Sequence, residues 1–129
     1  MSHLFVKKRQ FGFTMIELLV VTTIIILITA IGLVSYTSVN RNARNAKRKA
    51  DLETVRQSLV LYRTDNGSYP IGTAFNTMMG TISDYNSATT VVDPKNDDIY
   101  VYSYSSDGVN FTLTGYLEPD GTIYAISNP

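Results

Sequence analysis

An uncharged apolar run of 19 residues, Leu18–Tyr36, lies near the N-terminus of the chain. A helix of this length would be roughly 28 Å long, close to the ~30 Å hydrocarbon thickness of a bilayer. A glutamate, Glu17, stands immediately before the run. Because an ionisable side chain is expensive in a membrane, a membrane segment that keeps one usually uses it. The run therefore predicts a membrane-spanning helix in which Glu17 has a function.

Two ordinary explanations of this segment account for only part of it. A secretory signal peptide would use Lys7–Arg9 as its basic region and Ala30–Gly32 as its cleavage site. Glu17 would interrupt the apolar region of such a signal, however, and the run continues into a longer helical pattern. A plain membrane anchor explains the length but not the glutamate. A small membrane-tethered or secreted binding module with a conventional signal remains the alternative.

The whole stretch resembles the class III leader of type IV pilins and type II secretion pseudopilins. Lys7–Gly12 is a short basic leader that ends in glycine, and Phe13–Val21 reads Phe-Thr-Met-Ile-Glu followed by apolar residues. The resemblance implies cleavage between Gly12 and Phe13 by prepilin peptidase, a membrane enzyme acting on the cytoplasmic side, and N-methylation of Phe13. Since this cleavage precedes the apolar run, the membrane helix would stay in the product.

The same resemblance implies that Phe13 and Glu17 act together in assembly. Cleavage would create an amine at Phe13, and Glu17 lies about one helical turn further on. The helix dipole favours a carboxylate near the N-terminus, and an opposite charge is worth more in a low dielectric than in water. We therefore expect Glu17 to pair with the amine of a neighbouring subunit. The alternative is an interfacial glutamate, which would leave the Gly12–Phe13 leader junction unexplained.

Charge is distributed unevenly along the chain. Residues 1–63 hold ten of the eleven lysines and arginines, whereas residues 64–129 hold eight of the eleven acids. The leader resemblance implies a single-pass protein of the cytoplasmic membrane, with the leader in the cytoplasm and the C-terminal part outside, and later a periplasmic or cell-surface filament. The positive-inside rule favours the reverse orientation, because five basic residues follow the run and three precede it. We interpret those five as a solvated helix face: Arg41, Arg44, Lys47, Arg48 and Lys49.

The helical pattern continues well past the apolar run. Leu52, Val55, Leu59 and Tyr62 recur at the spacing of one helical face, and Thr64–Gly67 is a strong stop signal. The spacing predicts one helix over about residues 14–63. The predicted organisation is a cleaved leader at 1–12, a transmembrane and assembly helix at 13–36, an amphipathic half of the same helix at 37–64, and a small globular head at 65–129.

The head is predicted to contain a short helix and three strands. The helix is expected near Ala74–Met79 and the strands at Ile99–Tyr104, Val109–Leu117 and Thr122–Ile126, with turns at 106–108 and 118–121. In the second strand one face is apolar, and the opposite face carries Asn110, Thr112, Thr114 and Tyr116. The apolar face comprises Val109, Phe111, Leu113 and Leu117. The expected fold is α+β, with the second half of the long helix packed on a three-stranded antiparallel sheet, as in pilins.

Composition offers little for catalysis. The chain has no cysteine and one histidine, His3, which excludes a thiolate metal site and a multi-histidine zinc site. No enzyme activity is predicted. The implied partners are prepilin peptidase, copies of the chain and other pilin-like subunits, the lipid bilayer and the inner-membrane assembly machinery. No nucleic acid is predicted, because the basic cluster lacks interleaved aromatic residues.

The acidic loops of the head raise the question of calcium. G-type pseudopilins, which the chain resembles most, hold this region with calcium. Asp and Asn are also ordinary turn residues, and their spacing here matches no EF-hand loop. We therefore predict no cofactor, with calcium as the alternative. Its candidate ligands are Asp93, Asn96, Asp97, Asp98 and Asp107.

Overall fold

The computed structural model describes residues 12–86 and 91–129, so that the predicted leader, apart from Gly12, lies outside the described residues. The chain divides into two compact units, one ending at Thr37 and one comprising Ser38–Pro129. The boundaries predicted at residues 12, 36 and 64 stay predictions. The elements, in chain order, are α1 (Met15–Asn66), α2 (Phe75–Thr81), a single 3-10 turn (Ser83–Tyr85), β1 (Ser103–Ser106), β2 (Phe111–Leu117) and β3 (Thr122–Ser127).

The long helix α1 ends where the sequence contains its stop signal. Gly67 adopts a left-handed conformation with φ 81°, and its amide donates to the carbonyl of Arg63 at 2.7 Å. A glycine in this conformation is the usual way for a helix to satisfy its last carbonyls. The predicted helix is confirmed, and it runs three residues further than the spacing of apolar residues indicated.

The core of the second unit is built on the predicted stripe of α1. Leu52, Val55 and Leu59 are fully buried, and Tyr62 is partly buried against the same cluster. The segment that follows α1 adds Tyr69, whose ring meets that of Phe111 edge to face at 4.7 Å. Burial of this kind contributes about 25 cal/mol per Å² of apolar surface, so this face holds the helix to the rest of the unit.

The sheet is antiparallel, in the order β1–β2–β3. Along β2, Phe111, Leu113 and Gly115 point inward while Thr112 is exposed. A Cβ atom at Gly115 would lie 3.3 Å from Cδ1 of Leu52, so glycine allows the sheet to approach α1 closely here. The predicted α+β fold, a long helix packed on a three-stranded antiparallel sheet, is confirmed.

The first predicted strand, Ile99–Tyr104, is wrong at its start. β1 comprises Ser103–Ser106, and the preceding backbone turns instead. The amide of Tyr100 donates to the carbonyl of Asp97 at 2.7 Å, and that of Val101 donates to Ile99 at 2.9 Å. Because these amides are used locally, they cannot join a sheet ladder. The alternation of tyrosines that suggested a strand still places Tyr100 in the interior.

Val109 was predicted on the inward face of the second strand, and this was wrong. Val109 is 63% exposed, and β2 begins only at Phe111. The carboxylate of Asp107 accepts hydrogen bonds from the amides of Val109 (2.8 Å) and Asn110 (2.7 Å). Such an Asx turn takes Val109 into the connection between the strands. The short helix is present as α2, shifted slightly towards the C-terminus.

Candidate processing and assembly site

The predicted cleavage junction, Gly12–Phe13, lies just before the start of α1. Neither residue has helical or strand structure, both are exposed, and the Phe13 side chain is 90% exposed. Apart from the two adjacent residues, no heavy atom in the described part of the chain lies within 4 Å of the position that a Cβ at Gly12 would take. A peptidase could therefore reach this bond in extended form without first unwinding the helix. The cleavage and methylation sites themselves stay predictions.

Glu17 is held by the first turn of its own helix. Its Oε2 atom accepts hydrogen bonds from the amide and from the hydroxyl of Thr14, each at 2.8 Å. The amide of Glu17 in turn donates to the hydroxyl of Thr14 at 3.3 Å. This is a capping box, in which two residues three apart satisfy donors at a helix start. The sequence analysis missed Thr14, although the spacing Thr-x-x-Glu before an apolar run is the signal for this arrangement.

The helical surface that follows is apolar on every side. Every residue described over 13–33 is exposed, and α1 includes a segment long and apolar enough to cross a membrane. Its threonines place no unsatisfied donor on that surface, since Thr22 and Thr23 donate to the carbonyl of Leu19 and Thr29 donates to Ile25. An apolar surface of this extent requires lipid or other apolar chains around it. The predicted membrane helix thus has the surface that its role requires.

The interpretation of the basic cluster as a solvated face is wrong for two of its residues. The side chain of Arg48 is fully buried and forms a forked pair with Asp93, with Nε to Oδ2 at 2.7 Å and Nη2 to Oδ1 at 2.9 Å. Its Nη1 atom donates to Glu118 at 2.9 Å and to Asn45 at 2.8 Å. Arg44, partly buried, also forms a forked pair with Glu118. Lys47 and Lys49 are exposed, as predicted.

These ion pairs tie two connecting segments to α1. Asp93 lies in the segment before β1, and Glu118 lies in the turn between β2 and β3. Asn45 adds a reciprocal pair with the backbone of Glu118, donating to its carbonyl at 2.8 Å and accepting from its amide at 3.0 Å. Hydrogen bonds from Arg44 and Arg48 lower the pKa of Glu118 to about 2. Its carboxylate is therefore charged throughout the physiological pH range.

The calcium candidates are not gathered into an acidic cluster in the described part of the chain. No group of three or more acidic, histidine or cysteine side chains comes together there in a way that could hold a metal ion. Both carboxylate oxygens of Asp93 accept from Arg48, and Oδ1 also accepts from the amide of Lys95 at 2.8 Å. Asp97 and Asp98 are exposed, and Asp107 caps the turn before β2. The absence of a cofactor, with calcium as the alternative, stays a prediction.

Comparison with known proteins gives one match to the N-terminal segment and one that covers nearly the whole chain. The family model for the prokaryotic N-terminal methylation motif matches residues 7–33. The type II secretion system core protein G of Pectobacterium carotovorum subsp. carotovorum is 27% identical over 121 residues, which cover 94% of this chain and 69% of that protein. No solved structure matches the chain. The two matches support the pilin and pseudopilin family and confirm the predicted resemblance.

Proposed function

We propose that this pilin-like chain is a structural subunit of a type IV pilus or type II secretion pseudopilus-like filament, processed by prepilin peptidase and assembled through α1. The methylation motif and the similarity to a pseudopilin support a filament subunit. One observation carries the proposal further. The matched motif covers the first part of α1, whose surface is apolar all round, and α1 continues into the folded unit that starts at Ser38.

Processing follows from the position of the junction. The bond between Gly12 and Phe13 lies outside α1, and glycine leaves the backbone free to adopt the extended form that a peptidase binds. Cleavage there removes the three basic residues at 7–9 and leaves the apolar helix attached to the head. The product would be a single-pass protein of the cytoplasmic membrane, with a new amine at Phe13 available for methylation.

Assembly depends on the charge that the capping box holds. The two hydrogen bonds from Thr14 fix the carboxylate of Glu17 beside the N-terminus of α1. Both hydrogen bonds are accepted by Oε2, and the helix dipole attracts a negative charge to this end of α1. In a bundle of such helices, the amine of a neighbouring chain is the charge that would pair with it. The pairing would admit a subunit only in register with its neighbour.

The remaining basic residues suit the region just outside the membrane. Lys47 and Lys49 are exposed and follow the apolar run within four helical turns. Cations in this position attract anionic headgroups, at about 1 kcal/mol per charge near the surface. The resemblance to pilins implies as further partners the peptidase, the inner-membrane assembly machinery and other pilin-like subunits. A structural role of this kind involves no catalytic residue of the chain.

The mass of the processed chain tests the proposal. Co-expression with a prepilin peptidase should convert the full chain to a product that begins at Phe13 and carries one added methyl group. Intact mass spectrometry of the membrane fraction measures this directly. A product that begins near Leu33 would instead indicate a conventional signal and a released binding module. An uncut chain in the presence of active peptidase would also contradict the proposal.

A further inference from the structure

The ion pairs of the head have a feature that the proposed function does not use. Arg48 has no exposed side-chain surface, Asp93 has none, and only 8% of the Glu118 side chain is exposed. Burial of charges is costly unless each is paired and hydrogen-bonded. Here every nitrogen of the guanidinium has an acceptor, and no buried side-chain nitrogen or oxygen in the described part of the chain lacks a hydrogen-bond partner.

The arrangement is that of a cation surrounded by oxygen atoms from separate parts of the chain. The guanidinium of Arg48 donates hydrogen bonds to both carboxylate oxygens of Asp93, to one of Glu118 and to the amide oxygen of Asn45. All four distances lie within 2.7–2.9 Å. The ring of Tyr100 covers the guanidinium at 4.9 Å. The ligands come from α1, from the segment before β1 and from the β2–β3 turn. A bound metal ion would link loops in the same way.

We propose that Arg48 is the internal cation that closes the two acidic loops of the head onto α1, in place of a bound calcium ion. The guanidinium is supplied by the helix itself, so the closure forms with folding and needs no ion from solution. Both oxygens of Asp93 accept from Arg48, and the carboxylate is buried, so a metal ion would have to compete with the guanidinium for it. The proposal concerns the head alone and does not depend on whether the chain forms filaments.

The experiment compares metal dependence with dependence on Arg48, using the full chain in detergent micelles. The chain has nine tyrosines and no tryptophan, so near-ultraviolet circular dichroism of the tyrosines reports the unfolding of the head. We expect Tm to be the same in excess calcium and in excess chelator. Arg48→Met should lower Tm by about 15 °C or more, because it leaves Asp93 charged and buried without a partner.

Arg56→Met is the matched control, because Arg56 forms a partly exposed pair with Glu53 three residues away on the same helix. This change should lower Tm by no more than about 5 °C. If Arg48→Met does not fold, Arg48→Lys compared with Arg56→Lys answers the same question, because lysine keeps the charge but cannot form the fork. Equal shifts for the two positions, or a large loss of Tm on chelation of the parent, would overturn the proposal.

Discussion

Replacement of Glu17 by valine should leave the subunit cleaved and in the membrane but nearly abolish its assembly. Valine lengthens the apolar run, so insertion should be maintained, and the junction Gly12–Phe13 is untouched. In the filament, however, the amine at Phe13 would be buried without an opposite charge, which costs several kcal/mol per subunit. We expect the filament yield from sheared cells to fall at least tenfold, with membrane levels matched by immunoblot, and Glu17→Asp to be intermediate.

A second substitution separates the charge of Glu17 from its role in the capping box. Glu17→Gln keeps an oxygen that can accept from the amide and hydroxyl of Thr14, but it removes the charge. If charge pairing drives assembly, Glu17→Gln should fail as Glu17→Val does. Thr22→Val is the matched control, since it removes a hydroxyl in the same apolar segment and should assemble normally. Assembly of Glu17→Gln at the parental level would show that Glu17 serves only to cap α1.

Replacement of Gly12 by valine should block processing almost completely. A branched side chain at the scissile bond restricts the backbone and fills the space where the peptidase must approach. The uncut precursor should accumulate in the membrane and retain all of residues 1–12. Intact mass spectrometry of the membrane fraction, with active peptidase present, measures the cleaved fraction.

Gly32→Val is the control for this change. Gly32 lies in the apolar run Leu18–Tyr36, away from the junction, and a Cβ there would meet no described atom within 4 Å apart from its chain neighbours and the helix backbone. The identical substitution should therefore leave cleavage unaffected. If Gly12→Val yields the normal trimmed mass, the peptidase does not read this glycine, and the assigned junction is wrong.

The helix and the core stripe could be predicted because local sequence determines them. The 3.6-residue repeat of Leu52, Val55 and Leu59 identifies one buried face, and Gly67 marks the end of the helix. The strands β2 and β3 followed from alternation between two turn signals. The first strand was predicted to begin at Ile99 because tyrosines alternate with other residues there. A segment that turns can show the same alternation of buried and exposed side chains as a strand. Only the backbone hydrogen bonds distinguish them.

The buried ion pairs could not be predicted in the same way. Arginine is rarely buried, and the partners of Arg48 lie 45 and 70 residues further along the chain. One signal was nevertheless present. Arg48 precedes Leu52 by four residues and so extends the apolar stripe, which places it on the inward face of α1. A charged residue on such a face indicates a buried partner that the sequence alone does not identify.

The presence of the chain in filaments tests the central claim most directly. The subunit is expressed with its peptidase and assembly machinery, and the sheared fraction is examined by electron microscopy with antibody against the head. We predict thin filaments labelled along their length, built from chains that begin at Phe13. Processed chains that stay wholly in the membrane, or that are released singly without filaments, would contradict the account.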